Sequence, residues 1–156
     1  MLVDFAFTDD PGSTSYMYGA GSWYDGPCAR DYDPYQHAAA LDLPIVYREL
    51  PDEKMVAAYS AQHRAIFVRP NLHGAVERCA VAHEIVHHEH GDVGHVPAHE
   101  QRADRIAARR LIRPRRLRDA DNGSGDPAAM ALELNVTERI MTTYLRGIER
   151  GWYGHL

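Results

Sequence analysis

Cysteine is nearly missing from this 156-residue chain: Cys28 and Cys79 are the only two. Two cannot build a disulfide framework, and Cys79 falls in a helical apolar run, so reduced thiols in a cytosol are expected. No apolar run approaches the length of a membrane span. The start, Met1-Leu2-Val3-Asp4-Phe5, lacks the basic residues and long apolar core of a signal peptide. The expectation is a cytoplasmic protein with no membrane contact. A basic excess is also lacking. The formal charge of -5 gives no general reason to expect direct nucleic-acid binding. Internal repeats and a second domain are absent as well. At 45% apolar, the chain has enough residues for one domain with a real core.

What is present centres on Ala82-His83-Glu84-Ile85-Val86-His87, an H-E-x-x-H within a run of helical spacing. Two histidines at i and i+4 lie one above the other on a helix face, so their imidazoles can converge on one metal ion. Neutral imidazole suits zinc, whose coordination geometry is permissive. One zinc per chain is expected. Glu84 is one step round from His83. It is too close in sequence to share the metal comfortably, but well placed to accept a proton from water at the metal.

A third ligand is offered by Glu100-Gln101-Arg102-Ala103-Asp104, an E-x-x-x-D on a second helical pattern. Glu100 could complete a His2Glu site that leaves one position open, the catalytic arrangement. Asp104 is one turn on, on the same face. A carboxylate there can accept the outer N–H of a ligand histidine and fix its tautomer. Gly91-Asp92-Val93-Gly94 breaks the first helix and lets the chain turn back.

Six histidines fall between positions 83 and 99, so rivals exist. His90 lies ~10 Å along the axis from His83 at a rise of 1.5 Å per residue, too far to share one ion. It suits a helix end, where a cation also complements the dipole. His95 is the better rival. The metzincin spacing would need glycine at 90 and histidine at 93, where the chain has His90 and Val93. His95 and His99 are expected to line the cleft if they act at all, and His88 is expected to be solvated.

Along the chain, residues 1–32 form an aromatic, Gly/Ser-rich arm, expected either to be poorly ordered or to pack over the body, and residues 33–150 the metallopeptidase body with a helical C-terminal portion. Asp33-Pro34 opens a short helix through about Leu41. Ile45–Leu50, Met55–Ser60 and Ala65–Arg69 are predicted strands, the last two joined by Ala61-Gln62-His63-Arg64 as a hairpin turn. Tyr59 and His63 could face a substrate. Pro70-Asn71 ends the sheet and opens the HExxH helix. The next helix starts near Pro97, carries the apolar stripe Ala103, Ile106, Ala107, Leu111, and stops before Pro114. Eight of 16 arginines lie between 102 and 118, a solvated helix face or a dock for an acidic or DNA-bound partner. Asp119–Gly125 is a predicted loop. Asp126-Pro127 opens a helix through about Leu134, and Thr137 caps another through Ile148. The turn at Asn135-Val136-Thr137 looks like part of a helix-turn-helix, but no third helix or basic recognition face accompanies it, so it is read as structural. The fold class is α+β: a small, about three-stranded sheet on the HExxH helix, followed by further helices.

From about Asp33 to Ile148 the chain resembles the ImmA/IrrE family of metallo-endopeptidases. The resemblance rests on Ala82–His87, on the lead-in Ala65-Ile66-Phe67-Val68-Arg69-Pro70, and on Glu100-Gln-Arg-Ala-Asp104-Arg-Ile-Ala-Ala108 followed by Leu111-Ile112 and Pro114. The family's last segment reads E-x-x-A-[DN]-x-F-A-A. Here Ile106 replaces the aromatic, Arg110 stands where an apolar residue is usual, and Pro114 falls one residue late. The resemblance implies a zinc endopeptidase with Glu84 as base and Glu100 on the metal beside His83 and His87. Asp104 would then accept a hydrogen bond from His83. Many such enzymes are encoded by phages and mobile elements and cleave a helix-turn-helix repressor, so a transcriptional repressor is the implied substrate. The developing oxyanion also needs a donor, for which Tyr59, His63, His95 and His99 are the candidates. Two readings compete with a repressor-cleaving peptidase. One is a zinc-containing module that binds a repressor without cutting it, for which Glu84 would be unnecessary. The other is a toxin-like hydrolase with the same site and a different substrate.

Overall fold

Asp33 opens the first element by accepting the backbone N–H groups of Tyr35 and Gln36 at 2.9 and 3.3 Å. Pro34 fills the first helical position, where its missing N–H costs nothing, giving α1 (Pro34–Ala40). In the computed structural model, residues 31–121, 123 and 125–153 are described. Residues 1–30, which hold most of the expected arm and Cys28, lie outside them. Of the expected arm, only Asp31 and Tyr32 are described. Tyr32 is buried in the core, its hydroxyl 2.9 Å from His37 Nδ1, and its carbonyl accepts from Arg78 at 3.1 Å.

Three strands follow: β1 (Ile45–Tyr47), β2 (Ala57–Ser60) and β3 (Ala65–Val68). They form a mixed sheet in the order β1-β3-β2, with β1 parallel and β2 antiparallel to β3. Each is shorter than its expected span. β1 stops at Tyr47 because β3 runs out of partners: Arg48 N–H takes the carbonyl of Val68, the last residue of β3. Arg64 turns the β2–β3 hairpin in the left-handed region at φ 46. Side chains alternate between faces. Ala57, Tyr59, Ile66 and Val68 face Val81 and Ile85 of the next helix. Ala58, Ala65 and Phe67 pack with Leu50 and Met55 on the other face.

That next helix is α2 (Gly74–His90), which carries the HExxH. Val81, Ala82, Ile85 and Val86 are all 0% exposed, because α2 runs between the sheet and the remaining helices. A helix apolar around most of its girth is a helix covered on both sides. The other side is covered by α3 (Pro97–Leu111); α6 (Glu138–Glu149) packs on α3 and α5 (Pro127–Glu133) on α6, and their buried residues join Cys79 and Ala82 of α2 in one cluster. Asp126 and Thr137 cap α5 and α6 as expected, through bonds from Ala128 and Ile140 N–H at 3.0 and 3.3 Å. Asn135, at φ 51, reverses the chain between them. α3 stops before Pro114 as expected, but no element was expected between Pro114 and the loop predicted from Asp119. The chain instead begins α4 (Pro114–Ala120) there, since a proline that stops one helix can open the next. Among the described residues no helix is long and apolar enough to cross a membrane.

The segment that follows α6 folds back onto it through Tyr153. Tyr153 stacks on Tyr144 with ring centroids 5.1 Å apart. A Cβ on Gly147 would sit 2.3 Å from Tyr153 Cε2. The ring cannot yield without losing the stack. Gly147→Ala is therefore expected to destabilise the fold by ~1–3 kcal/mol, seen as a lower denaturant midpoint. An unchanged midpoint would show that Tyr153 is free to move.

Candidate metal centre

Helical spacing on α2 puts His83 and His87 in register, and their Nε2 atoms lie 3.0 Å apart. Glu100 comes from the first turn of α3, where a carboxylate also complements the helix dipole. Its Oε2 is 3.2 Å from His83 Nε2, and its Oε1 is 3.5 Å from His87 Nε2. Ligands ~2.0–2.1 Å from a tetrahedral ion stand about 3.3 Å from one another. The separations of 3.0–3.5 Å match that shell. These three residues form a group that could hold a metal ion.

The outward ring nitrogens sharpen the point. His83 Nδ1 is 2.9 Å from Asp104 Oδ1, and His87 Nδ1 is 2.9 Å from Asp92 Oδ2. An ionised carboxylate only accepts, so each Nδ1 must donate. In the neutral rings that leaves lone pairs on both Nε2 atoms, facing each other and the Glu100 carboxylate. Such a cluster repels itself unless a cation lies within it. Without a metal, a proton on His83 serves. Burial pulls the His83 pKa down, but the bonds to Asp104 and Glu100 outweigh burial and raise it to about 9. Burial lowers that of His87. The hydrogen bond from His83 holds Glu100 at about 2. Burial works against ionisation of Asp92 and Asp104. It is overcome by Arg102 and His87 at Asp92, and by His83 and Arg139 at Asp104.

Asp92 was missed in the sequence, where Gly91–Gly94 served only as a chain break. Gly91 ends α2 in the left-handed conformation at φ 63, which most residues avoid. That turn brings Asp92 N–H to the His87 carbonyl at 3.0 Å and folds the side chain back to the His87 ring. The legible cue was an acid directly after a helix-ending glycine, one turn beyond a ligand histidine. Asp92 is only 4% exposed and is further held by Arg102.

Glu84 is buried, and its Oε2 accepts the Tyr59 backbone N–H at 2.9 Å. That N–H is available because of register. Arg69 N–H bonds to the Val56 carbonyl, so alternate residues of β2 bond to β3, and Tyr59 points its backbone groups away. β2 is a sheet edge, and its outer side meets α2.

The remaining candidates separate. The Tyr59 hydroxyl is 3.1 Å from His88 Nδ1, and the two rings meet edge to face. His88 is therefore half-buried against the sheet and not solvated as expected. His63 packs on Phe67, on the sheet face away from α2, with Nδ1 2.9 Å from Ser60 Oγ. It is not brought to the cluster. His95 is: its Nδ1 lies 3.4 Å from Glu100 Oε1, and its side chain is 58% exposed. His99 Nδ1 is 3.4 Å from Asp92 Oδ1, behind His87. His90 caps the helix end through the Val86 carbonyl at 2.9 Å.

If the two aspartates orient metal ligands, Asp104→Ala and Asp92→Ala should each weaken zinc affinity by ~10- to 100-fold in chelator competition. Full affinity in either variant would reduce that carboxylate to a partner of its arginine, Arg102 for Asp92 and Arg139 for Asp104.

Among the described residues, fold and site together define a small α+β domain with one group, between two helices, that could hold a metal ion. No protein-family model matches the chain, and neither the curated proteins nor the solved structures compared with it provide a match. The resemblance to the ImmA/IrrE peptidases thus rests on the sequence motifs quoted above.

Proposed function

We propose that the protein is a zinc-dependent endopeptidase whose substrate is a helix-turn-helix repressor of a phage or mobile element. One observation carries the reading. Three metal-ligand atoms converge with both ligand imidazoles tied back to carboxylates, while a buried glutamate stands one residue from the first ligand. Mere metal storage has no use for Glu84 beside the ligands.

Bound zinc would polarise the scissile carbonyl and make water nucleophilic near neutrality. His83, His87 and Glu100 would hold it. Asp104 and Asp92 keep the two imidazoles in the tautomer that presents Nε2. Glu84, steadied by the Tyr59 N–H, takes the proton of the attacking water and hands it to the leaving amine. His95, exposed beside Glu100, is the side chain best placed among the four candidates to donate to the oxyanion. The substrate class comes from the sequence resemblance. The test is incubation with the product of a neighbouring repressor gene, with and without zinc. A single zinc-dependent cut is expected, and an intact repressor under both conditions removes it as the substrate.

A further inference from the structure

The clamp on Asp104 has two ends, and the second comes from an element that sequence reading left without a role. Asp104 Oδ1 meets His83, while Oδ2 accepts from Arg139 Nη2 at 2.6 Å. Arg139 is in the first turn of α6. That turn is anchored beside the metal-bearing helix: the Thr137 backbone N–H meets Cys79 Sγ at 3.4 Å, one helical turn before His83. Ile140, Met141 and Tyr144 bury the other face of α6 against Ala107 and Ala108 of α3. The Arg139 backbone is thus fixed by the core, although its side chain is 68% exposed.

We propose that Arg139 is a positioning residue for the metal centre. By holding Oδ2, it keeps the Asp104 carboxylate turned so that Oδ1 meets His83 Nδ1, and so keeps His83 Nε2 aimed at the ion. The α5–α6 pair is then a working part of the site. This inference rests on the zinc reading above. Without Arg139, Asp104 gains rotamers that abandon the ring, and each must be given up again when His83 is fixed on the metal.

The sign of the effect separates positioning from bulk electrostatics. Removing a cation near a cation site should, by Coulomb's law alone, tighten zinc binding. Loss of positioning should weaken it. Arg146 lines the same groove as Arg139 and Asp104 and serves as the matched control.

Zinc affinity is to be measured on the full chain by competition with a chromogenic chelator, for the parent, Arg139→Ala, Arg139→Lys and Arg146→Ala. Arg139→Ala is expected to bind zinc about three- to tenfold more weakly, less than the ~10- to 100-fold loss for a ligand's direct partner. Arg139→Lys should recover most of that loss, and Arg146→Ala should bind unchanged or more tightly. In proton NMR of the zinc-loaded chain, the His83 Nδ1 proton should lose its strongly hydrogen-bonded, downfield position in Arg139→Ala alone. Equal or tighter binding by Arg139→Ala, or an equal loss in Arg146→Ala, overturns the proposal while leaving the zinc site standing. A parent chain that takes up no zinc overturns the metal reading itself.

Discussion

On the proposed peptidase reading, Glu84→Gln is expected to lower repressor cleavage by at least ~100-fold, the lower end of general-base contributions, while zinc and partner binding persist. Glutamine keeps the size of the side chain and retains an amide oxygen to accept the Tyr59 N–H, now 2.9 Å from Glu84 Oε2. The buried packing therefore survives, and the ability to take a proton is lost. This variant also separates a peptidase from a module that only sequesters its partner. In a sequestering module Glu84→Gln would change nothing measurable. A variant that cuts as fast as the parent would show that the base lies elsewhere.

The second large effect is on metal content. The parent should carry about one zinc per chain, and His83→Ala, His87→Ala and Glu100→Ala should each carry almost none, by atomic spectrometry of dialysed protein. His87 is the most enclosed of the three, with a side chain at 0% exposure. Glu100 is the informative member, because His95 Nδ1 lies within 3.4 Å of its Oε1. Undiminished zinc in Glu100→Ala together with loss in His95→Ala would move the third ligand to His95. His83→Ala also removes the ring that holds both Asp104 and Glu100 in the absence of metal, leaving Asp104 to Arg139 alone, so this variant should unfold at a lower denaturant midpoint than the parent even without zinc.

The parts of the site that share a helix were legible in the sequence, and those that cross between elements were not. His83 with His87, and Glu100 with Asp104, are each one turn apart, and the helical repeat alone puts each pair on one face. The expectation that Asp104 would reach a ligand histidine needed only two helices facing each other. It came from the E-x-x-x-D motif together with analogy, and the distance of 2.9 Å to His83 Nδ1 agrees with it. Asp92 was within reach of sequence reasoning, had the helix-ending Gly91 been followed one residue further.

The features legible along the chain are therefore local: three strands, the HExxH helix, the capped helices after it, and the residues that share a face on each. Periodicity and capping are properties of neighbours in the chain, and neighbours are what a sequence displays. The tertiary structure alone decided that β1 lies parallel beside β3, that the Tyr59 N–H meets Glu84 across 25 residues, and that Arg139 meets Asp104 across 35. It likewise put His63 behind the sheet and left His95 at the mouth of the cluster. No repeat in the chain encodes those encounters. They depend on which apolar faces bury one another, and many residues contribute to that choice together.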